Sequence, residues 1–272
     1  MNKLHPYIST VLALLFFPAP VLAEETTSGI LQSEYAALYA LYQATGGDNW
    51  NDNSHWLSGY PAYTWHGITV ESGHVTGVVL PSNNLKGSIP PEIGNLSQLV
   101  SLMLDSNRLT GEIPEEIGNI STLLLLWLDG NSLSGDLPLF LESPPEYLDL
   151  RFNHLTVSDQ SLLDAVENKH SYEFRSTQTL APENLAARAV EIGGAEENRV
   201  ELSWNPISYI GDEGGYQVFF KRSSGQDYQY YGMTADKSAA SITVSGLEPG
   251  AEYDFKVKTV TWAHDYQKLI PS

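Results

Sequence analysis

The sequence predicts two domains: a short repeat solenoid with a parallel β-sheet on its concave face and α/β caps, followed by an all-β sandwich. Two observations carry this prediction. One phrase recurs every 24 residues between residues 75 and 156, as at Leu85, Leu109 and Leu133. From about residue 180 the pattern changes to short strands in which apolar and polar residues alternate. A fixed period of this length is typical of stacked repeats, and alternation is typical of strands with one buried face.

The first residues predict a secretory signal. Lys3 supplies a positive start, residues 11–17 are an apolar run, and Val21, Leu22 and Ala23 form a small-residue cleavage site. We assign residues 1–23 to this signal peptide and expect a secreted, extracellular or cell-surface protein, with the periplasm as an alternative. No other run is long enough to span a bilayer, so no membrane insertion is expected after cleavage.

Composition narrows the class of partner. The chain has 33 acidic and 14 basic residues and a formal net charge of −19. A surface of this charge repels phosphate backbones and anionic membranes, so nucleic acid is not an expected partner. The chain has no cysteine, so an exported protein of this sequence must rely on burial of a core for its stability.

Residues 24–74 predict an N-terminal cap for the repeats. The segment from Ser33 to Thr45 has aromatic and apolar residues at helical spacing, and Gly46 follows it as a stop signal. Because the first repeat would otherwise expose its leucines, we interpret the aromatic residues that follow as the core of a cap. An aromatic platform for sugar is the alternative. The residues concerned are Trp50, Trp56 and Trp65.

Residues 75–156 hold about four repeats of one short phrase. In each repeat two apolar residues flank a third, and because strand side chains alternate, the pair points to one face and the middle residue to the other. An asparagine follows where the chain turns inward, and its buried amide can satisfy backbone groups that lack a ladder partner. The inward pairs are Val78 with Leu80, Leu102 with Leu104, Leu126 with Leu128, and Leu148 with Leu150, and the asparagines are Asn83, Asn107, Asn131 and Asn153. The last interval is two residues shorter than the others, which indicates the end of the array.

The phrase Leu-Thr-Gly-Glu-Ile-Pro-Glu-Glu-Ile-Gly-Asn at residues 109–119 resembles the plant-type leucine-rich repeat, with its Leu-x-Gly-x-Ile-Pro signature. The resemblance implies a curved solenoid with a parallel sheet on the concave side, used for recognition and not for catalysis. Secreted plant proteins of this type usually carry cysteine pairs in their caps. The lack of cysteine, together with the short signal, indicates a bacterial source.

The remaining sequence predicts a closing cap and then a sandwich. Residues 157–179 are assigned to a C-terminal cap, with a helix near residues 158–168, and to a linker. Residues 180–272 resemble a fibronectin type III domain, with Trp204 as the core tryptophan and Tyr253 as the corner tyrosine. After Thr261 few residues remain for a last strand. We therefore expect a short or missing last strand, the latter if the chain is a fragment of a larger modular protein.

Motifs that carry catalysis are not found in the sequence. It has no cysteine nucleophile, no Gly-x-Ser-x-Gly elbow and no His-Glu-x-x-His pair, and its seven histidines are scattered. The acidic and amide residues from Asp48 to Asn53 fit a turn stabilised by their side chains better than a calcium loop, which needs a central glycine and a final glutamate. We therefore expect no catalytic residue, no metal site and no cofactor.

The outward residues of the repeat strands are the candidate binding site. Large apolar side chains on a strand face favour a binding patch, because nothing in the repeat requires them there. The alternative is that a cap or the second domain covers them. Four strands about 4.8 Å apart span only about 15 Å. The area of so narrow a strip falls short of the about 800 Å² that each partner contributes to a stable interface. The candidate residues are Met103, Asp105, Trp127, Asp129, Tyr147, Asp149, Arg151 and Phe152.

Together these features predict a non-enzymatic extracellular recognition protein that binds a protein, a peptide or a glycan through the concave face of the repeats. The alternative is a structural adhesion or assembly module, including a fragment of a larger surface protein. A carbohydrate-active enzyme that carries these modules as accessories would need a catalytic domain that the sequence does not contain.

Overall fold

The computed structural model describes residues 27–169, 174–190, 198–210 and 213–261. The predicted signal peptide and the expected last strand after Thr261 lie outside these residues. The first part of the described chain forms parallel sheets, and the second part forms antiparallel sheets. This division agrees with the two predicted domains.

The described residues contain two α-helices, several short 3-10 turns and fifteen strands. The helices are α1 (Gln32–Ala44) and α2 (Gln160–Glu167). The strands of the first part are β1 (Ile68–Glu71), β2 (His74–Val79), β3 (Lys86–Gly87), β4 (Ser101–Met103), β5 (Arg108–Gly111), β6 (Leu125–Trp127), β7 (Ser132–Asp136), β8 (Tyr147–Asp149) and β9 (His154–Thr156). Those of the second part are β10 (Glu183–Val190), β11 (Asn198–Asn205), β12 (Gly214–Arg222), β13 (Gln229–Met233), β14 (Ser241–Leu247) and β15 (Tyr253–Thr261). None of the helices in the described ranges is long and apolar enough to cross a membrane.

One five-stranded sheet runs through the repeats in the order β1-β2-β4-β6-β8. The first two strands form an antiparallel hairpin, and each later strand is parallel to its neighbour. Leu102 lies opposite Leu126, and Leu126 lies opposite Leu148. All three leucines are buried, so each repeat covers the apolar residues of the next. The short strands β3, β5, β7 and β9 form a second parallel ladder after the asparagine turns.

The repeat asparagines make the hydrogen bonds that the sequence predicts for them. The carbonyl oxygen of Asn107 accepts from the backbone N–H groups of Asn83 and Leu85 at 2.9 and 3.0 Å. Its amide donates to the backbone oxygens of Leu80 and Leu104 at 2.8 and 3.0 Å. The amides of Asn131 and Asn153 donate to the equivalent backbone oxygens, and their carbonyl oxygens accept from the N–H groups of Leu109 and Leu133. All are buried, so they satisfy backbone groups that would otherwise lose their solvation without compensation.

The segment predicted as a linker belongs instead to the repeat core. Thr177, Gln178 and Thr179 are buried. The side-chain oxygen of Gln178 accepts from the backbone N–H of Leu155 at 3.2 Å, and its amide donates to the oxygen of Leu150 at 3.2 Å. Gln178 therefore takes the role of the asparagine in one further turn of the stack. The prediction of a linker here is wrong because a glutamine amide can make the same pair of contacts.

Aromatic residues fill the N-terminal end of the stack. The ring centroids of Trp50 and Trp56 lie 4.8 Å apart, those of Trp56 and Trp65 5.3 Å apart, and all three side chains are buried in one core with the repeat leucines. Their burial leaves no ring face open for a sugar, so the tryptophans are core residues. Helix α1 ends at Ala44, and Gly46 follows in the left-handed conformation that favours glycine.

The second part of the chain is built from two three-stranded antiparallel sheets, β10-β11-β14 and β13-β12-β15. Trp204 and Tyr216 pack with ring centroids 5.0 Å apart in a core of their own. The hydroxyl of Tyr253 accepts from the backbone N–H of Glu248 at 3.1 Å. This upstream contact is the one expected of a corner tyrosine.

The asparagine hydrogen bonds generate a stability prediction. We expect Asn107→Ala to lower the free energy of unfolding by about 3 kcal/mol, since it leaves buried backbone groups unpaired. Asn119→Ala is the matched control, because Asn119 is exposed and its change should cost less than about 0.5 kcal/mol. Urea unfolding followed by tryptophan fluorescence measures both. Equal losses in the two variants would contradict the role assigned to the buried asparagines.

Candidate functional site

The candidate residues lie on the outward face of the five-stranded sheet in two rows. Strand pairing places Met103 beside Trp127 and Trp127 beside Asp149. The ladder continues past the strand ends, because the N–H of Ser106 donates to the oxygen of Asp129 and that of Gly130 to the oxygen of Arg151. Successive repeats therefore bring their outward side chains to within one strand spacing, about 4.8 Å, of each other.

A cavity of about 380 Å³ opens on this face. Six of the eight predicted residues line it, and Met103 and Tyr147 lie on the same sheet face outside its lining. Ser106 is an additional lining residue that was not among the predicted site residues, although it directly precedes the turn asparagine of its repeat, Asn107. The complete lining is Asp105, Ser106, Trp127, Asp129, Asp149, Arg151 and Phe152.

Two aromatic side chains on this face are open to solvent. Trp127 is 37% exposed and Tyr147 is 58% exposed. Tyr147 lies beside Leu125, in the row next to that of Trp127. An indole held on a rigid strand and open on one side offers apolar area with little loss of conformational entropy on binding.

Arg151 neutralises one carboxylate of the cavity. Its Nε donates to both oxygens of Asp149 at 3.0 Å, and its Nη2 donates to Oδ2 of the same residue. The backbone N–H of Arg151 also donates to Asp149 Oδ1 at 3.1 Å. The pair has the bidentate geometry that gives charge-assisted hydrogen bonds their direction. The guanidinium of Arg151 is therefore held against Asp149 of the same repeat.

Within the part of the chain that the structure describes, Asp105 and Asp129 form no ion pair. Burial, then the charges of Asp149 and Asp105, raise the pKa of Asp129 to about 7, against the opposing effect of Arg151. Burial also raises the pKa of Asp105, and Asp149 adds to the rise. Oδ1 of Asp105 is buried and has no hydrogen-bond partner among the described residues. Both carboxylates therefore hold negative charge at a cost that a cation would relieve.

Phe152 closes one end of the cavity and contacts the second domain. Its backbone has a φ of 57°, and its ring centroid lies 5.7 Å from that of Tyr209. The guanidinium carbon of Arg151 lies 5.7 Å from the centroid of the Phe152 ring. Phe152 is half-buried, so it forms a wall and not an open part of the aromatic surface that the sequence predicts. This interdomain contact has no signal in the repeat pattern.

The segment from Asp48 to Asn53 is held by its own side chains. Asp52 Oδ1 accepts from the backbone N–H of Ser54 at 2.9 Å, which is the contact of an Asx turn. His66 lies 3.1 Å from Asp52, and His74 lies 3.0 Å from Glu34. Within the described ranges no group of three or more histidine, aspartate or glutamate residues is placed to hold a metal ion.

Comparison with known families identifies both modules. A model of the fibronectin type III domain matches residues 181–268, and a model described as Leucine Rich Repeat matches residues 98–120. The chain therefore carries leucine-rich repeats followed by a fibronectin type III domain, as the sequence predicts. Both kinds of module are typically non-catalytic and serve in binding.

Solved structures resemble part of the chain. A plant ice-binding protein is 30% identical with a TM-score of 0.42, over 45% of this chain and 41% of that one. The leucine-rich repeat ectodomain of the receptor kinase SOBIR1 from Arabidopsis thaliana is 27% identical with a TM-score of 0.42, over 50% of this chain and 75% of that one. The chain spans less than half the length of the ice-binding protein.

The raised pKa of Asp129 generates a prediction about pH. Its value of about 7, against an ordinary value of 3.8, means that between these two pH values Asp129 is protonated in the folded state and ionised in the unfolded chain. Ionisation of Asp129 therefore destabilises the fold as the pH rises from about 4 to about 7, and the full cost is present above that range. We expect Asp129→Asn to be more stable than the parent protein at about pH 8, by on the order of 2–4 kcal/mol, and to differ little at about pH 4.

Urea unfolding at the two pH values measures this difference. Asp227→Asn serves as the control, because Asp227 is an exposed residue of the second domain. A gain in stability that is the same at both pH values would contradict the assignment of the cost to the ionised carboxylate of Asp129.

Proposed function

We propose that this protein is a non-enzymatic extracellular recognition protein and that its cavity binds a basic side chain of a peptide or protein ligand. The observation that carries the proposal is that one cavity combines an exposed aromatic side chain with two carboxylates. An exposed tryptophan, Trp127, lies next to two carboxylates, Asp105 and Asp129, that have no ion-pair partner among the described residues.

The chemistry of these groups selects a cation. A lysine ammonium or an arginine guanidinium would donate charge-assisted hydrogen bonds to the two carboxylates. The same cation could lie over the indole of Trp127, where the ring quadrupole attracts it. It would also relieve the cost of holding Asp105 and Asp129 ionised in a partly buried site. A neutral sugar would leave both carboxylates without a counter-charge, so a glycan fits the site less well.

The size of the cavity limits the contact. A volume of about 380 Å³ lies at the small end of the about 300–1,000 Å³ of typical ligand pockets. It accommodates one large side chain and its neighbours, not a whole protein surface. The ligand is therefore a short basic segment, and affinity beyond that of a weak contact would need the aromatic surface at Tyr147 as well.

Binding of a basic segment can be tested with the whole chain and a peptide library. We expect a library of random short peptides to be enriched in lysine and arginine, and Trp127→Ala to weaken capture of the enriched peptides at least about 30-fold, a loss of about 2 kcal/mol. Titration calorimetry with an enriched peptide measures the loss. Because Trp127 is partly exposed, its change should alter the unfolding midpoint little.

Two controls make the result specific. Tyr63→Ala removes another exposed aromatic residue, outside the cavity, and should bind like the parent protein. Asp129→Asn should weaken binding while leaving the protein at least as stable. Enrichment of acidic or purely apolar peptides, or equal binding by the Trp127 and Tyr63 variants, would refute the proposed site.

A further inference from the structure

Two surface features have no part in the proposed recognition of a peptide. The first is the lysine–aromatic face, defined as the outward side chains Phe219, Lys221, Tyr228, Tyr230, Lys256 and Lys258 of the sheet β13-β12-β15 and its loop. The second is the acidic groove, a cavity of about 340 Å³ beside helix α2. They lie in different domains and carry opposite charge.

Strand register assembles the lysine–aromatic face. Phe219 lies opposite Tyr230 on one side and Lys256 on the other. Alternate residues of these strands point outward, because Val218 and Val257 are buried in the core of the sandwich. The ammonium of Lys258 lies 5.8 Å from the centroid of the Phe219 ring. Cations and rings therefore alternate across the face.

The cations of this face are only partly neutralised. Lys221 lies 3.2 Å from Asp254 and 5.5 Å from the ring of Tyr228. Lys256 and Lys258 are exposed, and among the described residues neither has a carboxylate within ion-pair distance. Tyr230 is also open to solvent, with 58% of its surface exposed. The face therefore offers positive charge and apolar area together on a chain whose net charge is −19.

The acidic groove combines negative charge with exposed apolar area. Its lining includes four carboxylates and no basic residue. Several are held in place, since Glu115 Oε1 accepts from the N–H of Leu139 at 2.9 Å and Asp136 accepts from the hydroxyl of Ser158 at 3.2 Å. Leu139, at the rim, is 63% exposed. The carboxylates are Glu112, Glu115, Asp136 and Asp159.

Charge is also divided unevenly between the two domains. Residues 24–179 contain 20 acidic and 5 basic residues, a net charge of −15. Residues 180–272 contain 13 acidic and 8 basic residues, a net charge of −5. The negative charge of the repeats therefore attracts clustered lysines. Every copy of the chain has such a cluster on its sandwich domain.

We propose that the lysine–aromatic face of one copy docks in the acidic groove of a second copy. Lys256 and Lys258 would lie against the groove carboxylates, and Tyr228 and Tyr230 against Leu139. Because the two surfaces differ, the contact is heterologous: the first copy keeps an unused groove and the second an unused face, so assembly continues head to tail. This inference concerns surfaces outside the proposed peptide site and does not depend on it.

The size of these surfaces sets the strength of the contact. A groove of about 340 Å³ receives only a few side chains of a partner, whereas a stable interface takes about 800 Å² from each partner. Exposed ion pairs are weak and are screened by salt. Association is therefore expected only at high protein concentration and at low ionic strength.

Sedimentation velocity of the full chain tests the proposal. In about 0.01 M salt, where charges act over about 30 Å, we expect the mean sedimentation coefficient to rise with protein concentration. In about 1 M salt the rise should disappear. A parent protein that sediments as a monomer at millimolar concentration in low salt overturns the proposal.

Two charge-reversed variants then identify the surfaces. The face variant, Lys256→Glu with Lys258→Glu, and the groove variant, Glu112→Lys with Glu115→Lys, should each sediment as monomers. Mixed in equal amounts they should associate again, because the intact groove of the first receives the intact face of the second and the reversed face and reversed groove also carry opposite charges. A mixture that stays monomeric, although both variants unfold like the parent, overturns the head-to-tail contact.

A matched control guards against effects of total charge. Lys86→Glu with Arg188→Glu makes the same change in net charge as the face variant, at exposed positions outside the face. It should associate like the parent protein. Loss of association in this control, or association that persists in both charge-reversed variants, would overturn the assignment of the contact to the face and the groove.

Discussion

The hydrogen bonds of the buried asparagines are the constraint on which the repeat domain depends. Each asparagine joins the turn of its own repeat to the backbone of the preceding one, as Asn107 does at Asn83 and Leu80. The turn buries backbone groups that a β-ladder does not reach, and without these amides their desolvation would have no compensation. Leucine burial drives the repeats together, but the asparagines decide where each strand ends and therefore which residues face outward.

The same register places the outward carboxylates close together and raises the free-energy cost of ionising them. Because repeats stack at about 4.8 Å, equivalent outward residues are forced into contact distance whatever their charge. Asp105 and Asp129 are such neighbours. Burial, with the charge of Asp149, raises the pKa of both carboxyl groups, and the charge of Asp105 adds to the rise at Asp129. If the proposed function is correct, the position of these carboxylates beside Trp127 lowers stability in exchange for a binding surface.

Sequence reasoning reached the repeat register because a period of 24 residues fixes every equivalent position. It placed the strand leucines, the asparagines and the outward rows, and the structure pairs them accordingly. It missed the role of Gln178, since a glutamine outside the repeat phrase gives no sign that its amide completes the same contacts. It also placed Phe152 on an open surface, because contact with Tyr209 comes from a second domain with an unrelated pattern.

Arg151 indicates what the cavity is suited to hold. In the row of Asp105 and Asp129 the next repeat carries this arginine, so the protein already contains a guanidinium at the end of a row of carboxylates. Its guanidinium donates hydrogen bonds to both carboxylate oxygens of Asp149 in the same repeat. Among the residues that the structure describes, Asp105 and Asp129 have no such cation, and the partly exposed indole of Trp127 lines the same cavity. A basic group of a ligand would complete in those repeats the pairing that Arg151 completes in the last one.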